Sequence, residues 1–323
     1  MDLHGKLLEL TEQYRLGENA AARLAQLANL EAEPTSLERH LAFGLAILGA
    51  ALAGLGIIFW VAANWDLFSR TGRFALLQSV VVILCAGAIM LPAARQALGL
   101  LALLAVGALL AYFGQTYQTG ADPWQLFALW SALSLPLCLS IRSDVLWLPW
   151  VVVAMGAVTL WLTAYTGWAL SGSPDPRLLL AGWSAAFLVM FGVHPALRRY
   201  TGAGPWGMRA AATATALVLI ACGLLALINK TVEPEYYMAI TCLAGGSAML
   251  CMPRWHDTFA LSTLGLALNV LLVAGLAKAL IEKAGHKPIV ESLIVGVVAA
   301  ALLAATVRLV ILMADKHRTG VAA

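Results

Sequence analysis

The chain has 323 residues, of which 61% are hydrophobic and only 11% are charged, and its formal net charge is +3. Soluble domains carry about a quarter of charged residues, and the mean hydropathy here is +0.84, so the composition excludes an ordinary soluble protein. It indicates an integral membrane protein whose first partner is the lipid bilayer. The basic residues are spread along the chain without a cluster, and nothing favours nucleic acid as a partner.

The first 40 residues form a separate element. Leu3, Leu7 and Leu10, and then Leu24 and Leu27, recur every three or four residues, which predicts two short amphipathic helices. Seven acids against four Lys and Arg disfavour attraction to anionic lipid. We expect a cytoplasmic helical hairpin over 1–40 that packs on the bundle or docks a protein partner. It has no continuous apolar core, so we expect no signal peptide.

Ten apolar runs of about the length that crosses a bilayer follow the hairpin. They are apolar on every face, so only helices can satisfy their backbone groups in lipid. We expect an all-α, polytopic transmembrane bundle of about ten spans over 41–313, with nine or eight as alternative counts, and a cytoplasmic tail over 314–323. The runs are 41–63, 74–92, 97–113, 125–141, 145–164, 178–193, 210–228, 236–252, 258–280 and 289–313.

The distribution of positive charge predicts the orientation. Among Lys and Arg near the span ends, with the N-terminus in the cytoplasm, the inside segments carry ten and the outside loops carry six. Because cytoplasmic loops are enriched in these residues, both termini are expected inside.

Histidine and cysteine give no indication of metal or cofactor chemistry. The five cysteines all fall inside predicted spans without CxxC spacing, and the six histidines stand singly in loops or tails. We expect no metal site, no cofactor and no catalytic residue, because none of the usual ligand or nucleophile patterns is present. The sequence does not favour an enzyme.

Two polar stretches, 62–73 and 112–127, interrupt the apolar runs, and the preferred topology puts both outside. We expect them to form one ligand-binding cup, whose carboxylates and ring faces suit a cation or a ligand amine. The alternative is an interfacial aromatic belt with an ordinary turn. The candidate residues are Asn64, Trp65, Asp66, Gln115, Thr116, Tyr117, Gln118, Asp122 and Trp124.

One acid stands at membrane depth at the start of the last run. Glu291 is expected to pair with Lys287 or Arg70, or to carry a proton or an ion, because ionisable groups at this depth are costly.

Two strings of the sequence resemble a known family. "GLGIIFWVAANWD", followed by "FGQTYQTGADPWQLF" behind a short helical region, is similar to the bacterial membrane family called domain of unknown function 2157. The resemblance extends from residue 1 to about residue 190. It implies a multi-pass protein of the bacterial inner membrane, and it implies no reaction, substrate or catalytic residue.

Two kinds of function fit these features. Transport or binding of a small ligand or ion would use the outward-facing polar site. The alternative is a membrane sensor or an assembly or scaffold factor that acts through the N-terminal hairpin.

Overall fold

The computed structural model describes residues 65–117, 122–166, 175–228, 233–283 and 288–321, with Gly120 and isolated positions from Gly17 to Ala63. It describes the backbone alone for residues 166, 282, 283, 288, 289, 291 and 315–321. The chain divides into two compact units, Met1–Ala63 and Asn64–Ala323. The predicted hairpin over 1–40 lies outside the described residues except at Gly17, Ala20 and Arg23, and it stays a prediction.

In the first unit, every described position between 41 and 63 is helical. In the second unit the described residues form helices, joined by turns, and no strand. The long helices are α1 (Arg70–Met90), α2 (Arg95–Tyr117), α3 (Pro123–Ile141), α4 (Asp144–Thr166), α5 (Pro176–Gly192), α6 (Pro205–Leu225), α7 (Pro234–Leu250), α8 (Thr258–Lys283) and α9 (Pro288–Val321).

The all-helical membrane fold predicted from the sequence is confirmed, and the span count is approximate. Seven described helices are long and apolar enough to cross a bilayer. The count is eight if Pro176–Gly192 and Pro195–Thr201, bent by 57° at a short break, form one broken span. Two of the ten predicted runs are not among these eight. The run 41–63 is described only at isolated positions. The run 236–252 corresponds to α7, whose 17 residues are about the minimum length for a span.

Proline and short polar side chains begin many of these helices. Pro123, Pro176, Pro205 and Pro234 occupy the first turns of α3, α5, α6 and α7, where the missing N–H costs nothing. The Ser69 side chain caps α1 by accepting a hydrogen bond from the Gly72 N–H. These residues fix helix starts that the apolar runs alone place several residues too late.

Helix α6 is the centre of the bundle and packs against α4, α5, α7 and α8. Its buried face carries Gly207, Ala211, Thr215 and Gly223 at four-residue or eight-residue spacing, and such small residues let helix backbones approach closely. Helices α1 and α9 lie at the periphery, and none of the α9 span is buried. The exposed leucines and valines of these outer helices suit contact with lipid.

Tryptophan indoles connect the helices of the N-terminal half. The Trp130 Nε1–H donates to the Leu103 carbonyl at 2.8 Å, linking α3 to α2, and the Trp150 Nε1–H donates to the Ser131 carbonyl at 2.8 Å, linking α4 to α3. A Cβ at Gly107 would overlap the Trp130 ring. The close packing of α2 and α3 therefore requires glycine at this position.

A single carboxylate joins the starts of α4 and α6. Asp144 accepts hydrogen bonds from the backbone N–H groups of Gly204, Trp206 and Gly207, at 3.1, 2.8 and 3.0 Å. These donors belong to the first turn of α6 or just precede it, where helices leave N–H groups without internal partners. Asp144 thus satisfies donors on a helix that lies sixty residues further along the chain.

Contacts between helix termini define two ends of the bundle. The Arg70 guanidinium donates to the Thr116 carbonyl, which joins the start of α1 to the last turn of α2. The Lys278 ammonium donates to the Leu227 carbonyl, just beyond the end of α6. Since successive helices alternate in direction, both contacts lie at one end, which we call the Tyr117 end. The other is the Asp144 end.

Candidate functional site

The two polar stretches of the sequence meet at the Tyr117 end. The Trp65 ring lies edge to face against Tyr112, with centroids 5.0 Å apart, and Phe74 contacts Tyr112 at 4.7 Å and Tyr117 at 5.6 Å. With Arg70 and Arg73 these rings form a group that we call the arginine–aromatic cluster: Trp65, Arg70, Arg73, Phe74, Tyr112 and Tyr117.

The two arginines lie on the ring faces of this cluster. The Arg70 Cζ is 4.2 Å from the Tyr117 ring centroid, and the Arg73 Cζ is 4.9 Å from that of Trp65. A guanidinium over an aromatic face is attracted by the negative face of the ring. The sequence led us to expect a ligand cation on these ring faces. In the structure the protein's own arginines occupy this position.

The acceptors of these arginines are mostly backbone carbonyls. Arg73 donates from Nε to the Trp65 carbonyl at 2.9 Å, and Arg70 donates from Nη2 to the Thr116 carbonyl at 3.3 Å. Among the described residues, the carboxylate in contact with these arginines is that of Asp66, 3.5 Å from the Arg73 Nη2, and its side chain is fully exposed. Water screens such an ion pair strongly, so much of the positive charge of the cluster stays available.

Part of the second stretch is helical rather than a loop. Helix α2 continues to Tyr117, so Gln115, Thr116 and Tyr117 occupy its last turn. Gln115 is exposed, and Thr116 contributes its carbonyl to Arg70. Asn64 and Gln118, the other amides predicted for the cup, lie outside the described residues.

Asp122 and Trp124 have surroundings of their own. Asp122 is the exposed N-cap residue of α3 and makes no side-chain cap hydrogen bond. Trp124 packs against Tyr165 of α4, with centroids 6.1 Å apart, and Tyr165 also contacts Trp161. No contact of either residue with the arginine–aromatic cluster is recorded in the described part of the chain. A single cup that contains all nine predicted residues stays a prediction.

Sequence reasoning missed the residues that hold this cluster together. Arg70 entered only as a loop charge and as a possible partner of Glu291, and Arg73 only as a loop charge. Phe74 was read as part of an apolar run, and Tyr112 as an aromatic residue of the polar stretch or of an interfacial belt. Helical spacing could have identified them: Arg70 and Phe74 are four residues apart, as are Phe113 and Tyr117, and residues at this spacing share a helix face.

Two further expectations concern ions. Glu291 lies on α9, but its side chain is outside the described part, so neither a pair nor an ion can be assigned to it. Within the described residues, no group of three or more His, Cys, Asp or Glu is arranged to hold a metal ion.

Comparison with known families adds one match. Residues 9–147 match the family described as Predicted membrane protein (DUF2157). This confirms the resemblance over residues 9–147. The arginine–aromatic cluster lies wholly within the DUF2157 match, whereas α5 to α9 lie beyond it. No curated protein and no solved structure matches the chain.

Proposed function

We propose that this protein transports or binds a small ligand or ion through an outward-facing polar site at the Tyr117 end. The observation that supports the proposal is the meeting of the two polar stretches, since Arg70 and Trp65 of the first contact Thr116 and Tyr112 of the second. An interfacial belt alone needs no such convergence, because belt aromatics act singly at the headgroup level.

The charges of the cluster point to a ligand with carboxylate or phosphate oxygens. Arg73 already covers the Trp65 face and Arg70 covers the Tyr117 face, so an incoming cation would compete with the protein's own guanidinium groups. Guanidinium forks pair well with planar or tetrahedral oxyanions. A free anionic molecule and an anionic lipid headgroup share this chemistry.

The predicted location at the bacterial inner membrane, with both termini in the cytoplasm, is part of this proposal. Among the described residues, the Asp144 end carries Arg95, Arg142, Arg198, Arg199, Arg209, Arg254, Lys316 and Arg318, and the Tyr117 end carries Arg70, Arg73, Arg177, Lys278 and Lys283. An excess of Lys and Arg marks the cytoplasmic side. The Tyr117 end would then face outward.

Thermal unfolding of the full chain in non-ionic detergent tests the site. Inorganic phosphate should raise the unfolding midpoint of the wild type, because a ligand that binds only the folded state stabilises it. The variants Arg70→Gln and Arg73→Gln should lose this rise. Arg177→Gln is the matched control, since Arg177 is exposed at the start of α5, and it should keep the rise.

Replacing phosphate by phosphatidylglycerol, with phosphatidylcholine as the neutral comparison, separates the two sources of the anion. A rise with the anionic lipid alone identifies a headgroup site, and a rise with phosphate identifies a soluble ligand. An equal rise in all variants would reveal a general salt effect and reject the site. The absence of any rise in the wild type would reject it as well.

A further inference from the structure

A carboxylate lies on the buried face of α7, where apolar residues would be expected. The buried positions of this helix are Glu235, Tyr236, Ala239, Leu243, Gly246 and Leu250, which recur at helical spacing. Glu235 is 3% exposed, and its Oε2 is buried with no hydrogen-bond partner in the described part of the chain. Sequence reasoning missed it, because the predicted span began at residue 236.

The polar groups around Glu235 are committed to other partners. The Tyr236 hydroxyl, next along the helix, donates to the Leu271 carbonyl of α8 at 2.9 Å. On α8, the Lys278 ammonium donates to the Leu227 carbonyl at 2.8 Å. Helix α6 has Cys222 as its one ionisable residue near this end, and α5 begins with Arg177, which is exposed. Among the residues that the structure describes, no ion pair or hydrogen bond offsets a charge on Glu235.

Glu235 lies in the first turn of α7, a position where acids are common, and this is the simplest explanation of its presence. The helix dipole stabilises negative charge there. The same stabilisation is available to a more exposed acid, and Glu233, two residues earlier, is such a residue. The dipole therefore explains an acid at this turn but not a buried one, because burying an unpaired charge is costly.

The end of α6 supplies further oxygen atoms beside this turn. The Glu233 N–H donates to the Ala226 carbonyl at 3.4 Å, which brings the start of α7 against the last carbonyls of α6. Carbonyl groups at a helix C-terminus carry partial negative charge. Two of these carbonyls already have donors, Ala226 from the Glu233 N–H and Leu227 from the Lys278 ammonium. The buried Glu235 carboxylate at this turn is therefore the group left to attract a cation, and carboxylate oxygens are ligands that hard cations bind.

We infer that Glu235 is a cation-binding group whose ligand is a proton or an alkali metal ion. An ionisable residue enclosed in a membrane bundle generally marks an ion or proton pathway. Glu235 belongs to α7, which packs against α6 and α8, whereas the arginine–aromatic cluster is formed by α1, α2 and the residues just before α1. The inference does not depend on the function proposed for that cluster.

Labelling with dicyclohexylcarbodiimide tests the inference on the full chain in detergent. This apolar reagent adds to a protonated carboxyl in apolar surroundings, and the adduct rearranges to a stable N-acylurea that mass spectrometry locates. Labelling of the wild type is followed from mildly acidic to mildly alkaline pH, in choline chloride and then in sodium or potassium chloride of equal ionic strength. Thermal unfolding is measured in the same salts for the wild type, Glu235→Gln and the control Glu233→Gln.

Each outcome supports or overturns the inference. Labelling at Glu235 that sodium or potassium slows, or an alkali-ion rise in midpoint that Glu235→Gln loses and Glu233→Gln keeps, identifies a metal ion. Labelling at Glu235 that falls with rising pH and ignores both ions identifies a proton. Labelling that is absent, or independent of both pH and ions, together with equal midpoints in all salts, overturns it. The wild-type labelling remains decisive if Glu235→Gln does not fold.

Discussion

For a single residue, we expect a large loss of stability when the Asp144 side chain is removed. Asp144→Ala removes the acceptor of three backbone N–H groups at the start of α6, and hydrogen bonds to charged groups contribute more than neutral ones. We expect the free energy of unfolding to fall by about 2–4 kcal/mol. Reversible unfolding in mixed micelles, followed by circular dichroism, measures it.

The matched control is an aspartate that caps its own helix. The Asp175 side chain accepts one hydrogen bond, from the Arg177 N–H, so Asp175→Ala should cost about 1 kcal/mol. Equal losses in the two variants would show that the contact between α4 and α6 adds nothing beyond ordinary capping. Asp144→Asn keeps one oxygen acceptor, so its loss of free energy of unfolding should lie between those of Asp144→Ala and Asp175→Ala.

For whole helices, the side-chain amide of Asn269 links the peripheral helix α9 to α8. The Asn269 Nδ2 of α8 donates to the Thr306 hydroxyl of α9 at 2.8 Å. The same Nδ2 makes a weaker hydrogen bond to the Leu302 carbonyl of α9 at 3.5 Å. Asn269→Leu should weaken the packing of α9 by about 0.6–1.7 kcal/mol, the range for hydrogen bonds between membrane helices.

Protease sensitivity of the final connection, combined with the unfolding midpoint, checks this expectation. Ser262→Ala is the control, because the Ser262 hydroxyl donates within its own helix to the Thr258 carbonyl. A midpoint for Asn269→Leu equal to that of Ser262→Ala would mean that the hydrogen bond from Asn269 to Thr306 adds nothing to the packing of α9.

The positions of the helices were predictable from the sequence, because a long apolar run in lipid has to satisfy its backbone internally. The run 145–164 lies within the helix Asp144–Thr166. Helix starts were less predictable, since the first turns carry prolines and charged residues that resemble loops. Helix α6 begins at Pro205 rather than 210, and α7 begins at Pro234 rather than 236, and the second difference hid Glu235.

The candidate site was predictable only in part. The composition of the polar stretches indicated that they were unusual. It did not indicate that arginines would pack on the rings of Trp65 and Tyr117, because arginines between apolar runs are normally read as charges of a loop. Pairings across helices, such as Arg70 with the Thr116 carbonyl, depend on which helices are neighbours. One sequence does not contain that information, because hydrophobicity specifies burial and not the identity of the neighbour.

At the scale of the whole molecule, the orientation in the membrane decides what both proposed sites encounter. If the Tyr117 end faces outward, the arginine–aromatic cluster meets ligands from the periplasm, and a cation reaches Glu235 from that side. Single cysteines on a background without the five native cysteines test it, with Arg177→Cys marking the Tyr117 end and Arg199→Cys the Asp144 end. Both positions are exposed, so their reaction rates report access rather than burial.

A membrane-impermeant maleimide applied to intact cells should label Arg177→Cys at once and Arg199→Cys only after lysis, because the Arg-rich end is expected in the cytoplasm. Ser36→Cys, within the predicted hairpin, should behave like Arg199→Cys, since both are expected on the cytoplasmic side. The reverse pattern would place both termini outside and turn both sites toward the cytoplasm. The chemistry inferred for Arg70, Arg73 and Glu235 would then stand, because it rests on contacts within the bundle, but its ligands would come from the cytoplasm.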